Sequence, residues 1–208
     1  MSEYSTRPGF SEIHRSEVAN LFWAAFGEKL GLVMGPADKA LSFVAETLDP
    51  KFAISALSPS GALLGVAGFK TTKGALVGGS LRDLARHFGW GSLFWRAPLL
   101  SVLERDPEPG SLLMDGIFVA PAARGMGIGS ALLTAIKDHA TREGLNEVRL
   151  DVINTNPRAK ALYERQGFVP GKQTDLGLLS MVFKYQSSTT MRFPIDPHKN
   201  EPCRNAAN

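Results

Sequence analysis

Residues 124–133 read RGMGIGSALL, three glycines set against the start of an apolar helical pattern. The run just upstream, SLLMDGIFV at 111–119, is mostly apolar and short, as a central strand is. Strand, glycine loop and helix follow one another with little chain between them. Glycine admits positive φ and lets another group come very close to the backbone. The first amides of a helix have no partner inside it, and the helix dipole makes that end attract an anion. The unit therefore needs either a ligand phosphate or a tightly packed neighbouring element.

Three such partners compete. A P-loop requires a Lys-Ser/Thr pair closing the glycine run, and none is present. A dinucleotide loop requires G-x-G-x-x-G/A directly after a strand. Counting from Gly125 the last position is Ser130, and counting from Gly127 it is Leu132. The third reading is close strand–helix packing with no ligand, and the loop alone leaves it open.

The flanking pattern narrows the architecture. Residues 15–30 place Val18, Leu21, Phe22, Ala25 and Phe26 at helical spacing, and a second helix is expected over 36–47. Strands at 51–56 and 62–70 bracket the turn residues SPSG, which reads as a hairpin. Residues 71–110 read as a helical insertion of two short helices broken near 89–91. Its Trp90, Phe94 and Trp95 are expected to pack against something. Helix 130–142 carries Leu132, Leu133, Ile136 and Ala140 on one face and stops at Gly144. A strand is expected at 147–153. Asn156 is a good N-cap and Pro157 suits the first helical position, so a helix runs from there to about Gln166. A last strand is expected at 178–185. From Gln186 to the end the chain is polar and proline-interrupted and reads as a tail. The expected organisation is one domain over 1–185 with a tail at 186–208.

Arg124-x-x-Gly127-x-Gly129, followed by Asn156-x-x-Ala159-x-x-x-Tyr163 and Gly167-Phe168, resembles the GNAT superfamily of acetyl-CoA-dependent N-acetyltransferases. The resemblance is strong over about residues 111–185 and only topological over 15–70. It implies a mixed α/β fold: a mostly antiparallel twisted sheet with a parallel, splayed central strand pair, flanked by helices on both faces. It implies that the amides of Arg124, Gly125, Met126, Gly127, Ile128, Gly129 and Ser130 hold the pyrophosphate of CoA. Ile117, Phe118 and Val119 would run beside the pantetheine arm, with the Val119 amide polarising the thioester carbonyl. Tyr163 takes the family's general-acid position. Asn156 contacts CoA or a bridging water while capping its helix, and Arg158 and Lys160 are candidates for the 3′-phosphate, with plain solvation on the helix surface as the alternative. Asp115, an acid in an apolar strand, is the candidate base or amine anchor, with Asp151 as the second candidate and a strand-edge structural role as the alternative.

Composition sets the remaining bounds. The chain has 208 residues, enough to bury a core without staples. Cys203 is the sole cysteine and no Cys/His spacing suits zinc, so neither an intrachain disulfide nor a metal is expected. That usage, with a polar N-terminus and no membrane-length apolar run, reads as cytoplasmic with no membrane partner. A net charge of +3 is too small and scattered to argue for nucleic acid. The expected partner is a small-molecule or peptide amine, and a homodimer is left open. The expected activity is acetyl transfer from acetyl-CoA to a primary amine by direct attack. A non-catalytic acyl-CoA-binding module is the alternative, and a nucleotide-binding protein a third reading. Trp90, Phe94, Trp95 and Arg96 are candidates to cover the acceptor pocket, with an ordinary satellite core as the favoured alternative.

Overall fold

The computed structural model describes residues 4–103, 105–177 and 180–196. In chain order, strand β1 (Ser5–Pro8) leads into helix α1 (Arg15–Met34) and helix α2 (Ala37–Thr47). The hairpin β2 (Ala53–Leu57) and β3 (Leu63–Thr71) follows, then the two-residue strand β4 (Gly74–Ala75). Helices α3 (Leu81–Phe88) and α4 (Trp90–Leu103) precede β5 (Ser111–Val119). After the glycine loop come α5 (Ile128–Arg142), β6 (Glu147–Ile153), α6 (Pro157–Arg165), β7 (Val169–Asp175), α7 (Ser180–Phe183) and β8 (Ser187–Pro194).

The strands form one sheet of order β1-β2-β3-β5-β6-β8-β7, with β4 paired to β3. Among the described residues β5 and β6 are the one parallel strand pair, and the other pairings are antiparallel. This is the mixed, helix-flanked sheet the sequence implies. One face packs on α5 and α6 through Ile128, Leu132, Leu133 and Ile136, over Leu112, Val148 and Leu150. The opposite face carries α1 to α3, where Val18, Phe22, Phe43 and Phe88 meet Val66 and Phe118. Strand alternation sorts β6 between these faces. Val148, Leu150 and Val152 are buried on the α5 side, and Asp151 and Ile153 line a cleft on the α1 side.

Two expectations are corrected. The strand expected at 178–185 is absent from the described part of that run. Ser180–Phe183 is a short helix, and Leu178 and Leu179 lie outside the described residues. The polar segment read as the start of a tail is instead β8, which pairs with β6 on one side and β7 on the other. Hydropathy pointed to the wrong run. Phe183 and Tyr185 are buried against Val33 of α1, whereas β8 opens on two serines and two threonines before the fully buried Met191. β-Branched residues with backbone pairing on both edges suffice for an interior strand.

The insertion at 71–110 does form two helices broken at Gly89, whose φ is +81°. Its aromatic residues do not pack as expected: Trp90 and Phe94 are 73% and 91% exposed, and Trp95 44%. The burial falls to Leu84, Phe88, Leu93 and Leu100 instead. Arg96 ties α4 to the end of α1, donating to the carbonyl of Val33 and, at 3.1 Å, to that of Gly35. Among the described residues no helix is long and apolar enough to cross a membrane.

Candidate active site

The site begins with a fault in the central strand. Along β3 and β5 the register runs Val66↔Phe118, Ala67↔Ile117 and Gly68↔Gly116, then jumps to Phe69↔Met114. Asp115 is the extra residue of a β-bulge. Pairing of β5 with β6 ends at Met114↔Leu150, immediately before it. Beyond that point β6 stays paired to β8 as far as Ile153↔Ser188 while β5 stays paired to β3 as far as Gly65↔Val119. The two central strands therefore part at Asp115 and Asp151, leaving a wedge between them.

One edge of that wedge is a row of main-chain groups. The amide of Ala120 donates to the Leu64 carbonyl at 2.9 Å. Antiparallel pairs alternate between bonded and non-bonded positions, so Phe118 also turns its amide toward β3. Val119 and Ile117 then turn theirs into the wedge.

At the mouth lies the glycine loop. Gly125 and Gly127 both have φ of +81°, in the left-handed region that a side chain disfavours. Gly127 is the N-cap of α5 and offers no side-chain cap. Among the described residues the amides of Gly125, Gly127, Ile128, Gly129 and Ser130 have no acceptor, whereas Arg124 and Met126 donate to Pro121 and Ala123 carbonyls. A Cβ built at Gly125 would meet nothing within 4 Å, and one at Gly127 only the Tyr4 hydroxyl at 3.5 Å. Unpaired amides converging on open space at a helix start suit a phosphate group. Arg124 and Met126 are exposed beside them, and Ile128 is buried as an anchor.

Opposite the α5 face, the wedge opens into a cleft of about 350 Å³ walled by Phe22, Phe26 and Leu30 of α1, with Tyr185 and Ile153 across from them. Asp115 and Asp151 both reach it. Burial pushes the Asp115 carboxyl up to about 6, against a smaller opposing pull from Lys70. Its oxygens have no hydrogen bond among the described residues. Asp151 is held differently: the Thr190 hydroxyl donates to Oδ1 at 2.5 Å, and Arg105 and Arg149 stand 3.8 and 3.9 Å from Oδ2. Asp151 Oδ1 is thus hydrogen-bonded while its buried Oδ2 has only the two longer ion contacts, and Asp115 has neither.

Tyr163 lies on the other face. Its ring is buried in the α5 core and sits 5.9 Å from Phe168. Desolvation raises its hydroxyl to about 12, so it stays protonated at neutral pH and keeps a proton to give. Asp115 and Tyr163 thus flank the sheet from opposite sides and do not share the cleft. Asn156 caps α6, accepting from the Ala159 amide at 3.1 Å. Arg158 is exposed on the first turn of α6.

Trp90, Phe94, Trp95 and Arg96, candidates to cover the acceptor pocket, do not line the cleft. From that segment Ala75, Val77 and Arg105 do. The sequence reading missed Lys29, which also lines it. Its signal was in α1, where a lysine interrupts the apolar face running through Val18, Phe22, Phe26 and Val33. The bulge had a signal too: Gly116 is an isolated glycine inside a strand pattern.

Comparison with known proteins accords with this geometry. A 65-residue stretch is 44% identical to the mycothiol acetyltransferase of Beutenbergia cavernae, covering 31% of this chain and 21% of that protein. The matches to curated relatives cover only 21% to 38% of those proteins' own length. In fold, the chain is similar to an N-acetyltransferase from Staphylococcus aureus Mu50, with TM-score 0.63 and 16% identity over 91% of this chain and 100% of that one. It is also similar to a putative acetyltransferase from Salmonella typhimurium solved with its cofactor acetyl-CoA, with TM-score 0.55 and 15% identity over 99% of each chain. Residues 17–168, which span both central strands, the glycine loop and Tyr163, match the Acetyltransferase (GNAT) family, and the chain belongs to it.

Proposed function

We propose that this chain transfers an acetyl group from acetyl-CoA to a primary amine, with both substrates bound at once. The observation that carries the reading is the wedge at Asp115. It sets outward-turned amides of the central strand between an unpaired carboxylate on one face and a protonated phenol on the other.

Acetyl-CoA supplies an activated thioester. The amides of Gly125 and Gly127 to Ser130 hold its pyrophosphate, and Asn156 and Arg158 stand at the start of α6 near the same mouth. The amides of Ile117 and Val119 orient the arm along β5. The Val119 amide also donates to the carbonyl oxygen as negative charge develops there, an interaction stronger in the transition state than before it. On the α1 side, Asp115 accepts a proton from the acceptor nitrogen, a task suited to a carboxylate near 6 at neutral pH. The new N–C bond forms as the C–S bond breaks, and Tyr163 gives its proton to the departing sulfur. A phenol held above its ordinary range is a weak acid, but a thiolate leaving into a dry site is a better proton acceptor than one in water.

The test is thiol release from acetyl-CoA across amine classes, with the product mass confirmed to rise by one acetyl group. Acetyl-CoA bound tightly but left unconsumed across the whole amine panel would support the non-catalytic module instead.

A further inference from the structure

Resting on the reading just given, we propose that the acceptor is an amine carrying its own anionic group, a carboxylate or a phosphate, and that Lys29 receives that anion. Among the described residues, the charged side chains lining the cleft are Lys29, Lys70, Arg105, Asp115 and Asp151. Asp151 and Arg105 face each other. Lys70 acts on Asp115 and has further interactions. Lys29 is drawn on by its sequence neighbour Glu28, an exposed carboxylate that also lies 3.9 Å from Lys184. The Lys29 Nζ sits 5.2 Å from the ring centre of Phe26 and 5.9 Å from that of Tyr185. No carboxylate among the described residues comes within ion-pair distance of it.

Those two rings hold the ammonium in place and compensate only part of its lost hydration. Burial accordingly pulls the Lys29 amine below its ordinary range. A half-buried cation offset only by an exposed neighbouring carboxylate is incompletely compensated, and a ligand that brings an anion into the cleft relieves it. Phe22, Phe26 and Leu30 form an apolar wall beside it. The acceptor this describes has an amine for Asp115, an anion for Lys29 and an apolar body between them. The same arrangement rejects diamines and polyamines, whose second cation would face Lys29 across a poorly solvated gap. The cleft volume lies at the small end of the range for small-molecule sites.

The test uses matched probes that differ only in the anion: L-phenylalanine against 2-phenylethylamine, and O-phosphoethanolamine against ethanolamine. Affinity is measured by calorimetry on the full chain saturated with CoA, and acetylation is measured separately with acetyl-CoA. One pair or the other should show a preference of about tenfold for the anionic member, and which pair does so separates carboxylate from phosphate. Lys29→Met should collapse that ratio toward one, and Lys29→Arg should retain most of it, with both variants checked for wild-type melting. A wild-type ratio at or below one for both pairs overturns the proposal, as does a ratio that Lys29→Met leaves intact. Preferential binding with no acetylated product would keep the anion site and reject the transfer reading. Equal acetylation of anionic and neutral amines would do the reverse.

Discussion

Asp115→Asn should make the protein more stable and less active, and both effects follow from one displaced equilibrium. The carboxyl moves from its ordinary 3.8 to about 6 on folding. Because the folded value is the higher one, the native state holds its proton more tightly than the unfolded chain does. Stability therefore falls as pH rises through the window from about 4 to 6, and the loss is complete above it. At 1.36 kcal/mol per unit, the cost at pH 8 is at most about 3 kcal/mol, and about half of that at pH 5. Asparagine keeps the shape and removes the charge, though its amide retains a smaller desolvation penalty. Urea denaturation should show the variant about 1–3 kcal/mol more stable than wild type at pH 8, with the gap closing as pH is lowered toward 4. In the same preparation kcat should fall by about 10²–10⁴, and the acidic limb of the wild-type kcat profile, centred near 6, should vanish. A variant less stable than wild type at pH 8 would show that the carboxylate is already compensated. A surviving limb near 6 would remove Asp115 as the base.

The other expectations separate ligand handling from folding. Tyr163→Phe should lower kcat by about 10²-fold or more while calorimetric affinity for acetyl-CoA stays within twofold, since only a proton donor is lost. Gly127→Ala should cost about 1–2 kcal/mol in denaturant titrations because φ is +81° there, and should weaken CoA binding as well. Gly129→Ala has ordinary φ and only a 3.4 Å contact with Leu162 Cδ2, so it should weaken CoA binding with little change in melting; unchanged affinity would place the phosphate elsewhere. Phe94→Ala should alter stability by less than about 0.5 kcal/mol, whereas Phe69→Ala, at a fully buried ring, should cost about 3–5 kcal/mol.

What the sequence disclosed depended on how local the cause was. The capped start of α6 at Asn156 and Pro157, the loop glycines and the apolar periodicity of α5 are decided within a few residues, and each stands where it was expected. β8 was illegible because its stability comes from neighbours on both edges rather than from its own hydropathy. Trp90 and Phe94 misled for the opposite reason: their type suggested burial, but the apolar side of α4 that packs is marked by Leu93 and Leu100. Lys29 became informative only once Phe26 and Tyr185, 159 positions apart along the chain, were seen to enclose it.

The bulge explains why the charge, the glycine and the parting of the strands occur together. An inserted residue reverses strand alternation, so Met114 and Ile117 pack on the α5 side while Asp115 and Gly116 both turn toward α1. A Cβ at Gly116 would lie 3.0 Å from the Phe118 ring and 3.3 Å from that of Phe26, so glycine there lets the aromatic wall close down beside the acid. Gly116 also faces Gly68 across the ladder, where a Cβ would strike Leu76 at 2.3 Å. Two small residues thus let the kink form without opening a gap between β5 and α1. The kink in turn ends the pairing with β6, which frees the Ile117 and Val119 edge. A carboxylate at any regular position of this strand would be either sealed in the core or paired across the ladder. At the bulge it is desolvated enough to be held above the ordinary carboxyl range and still reachable from the cleft, so its shifted equilibrium and its access have a single structural cause.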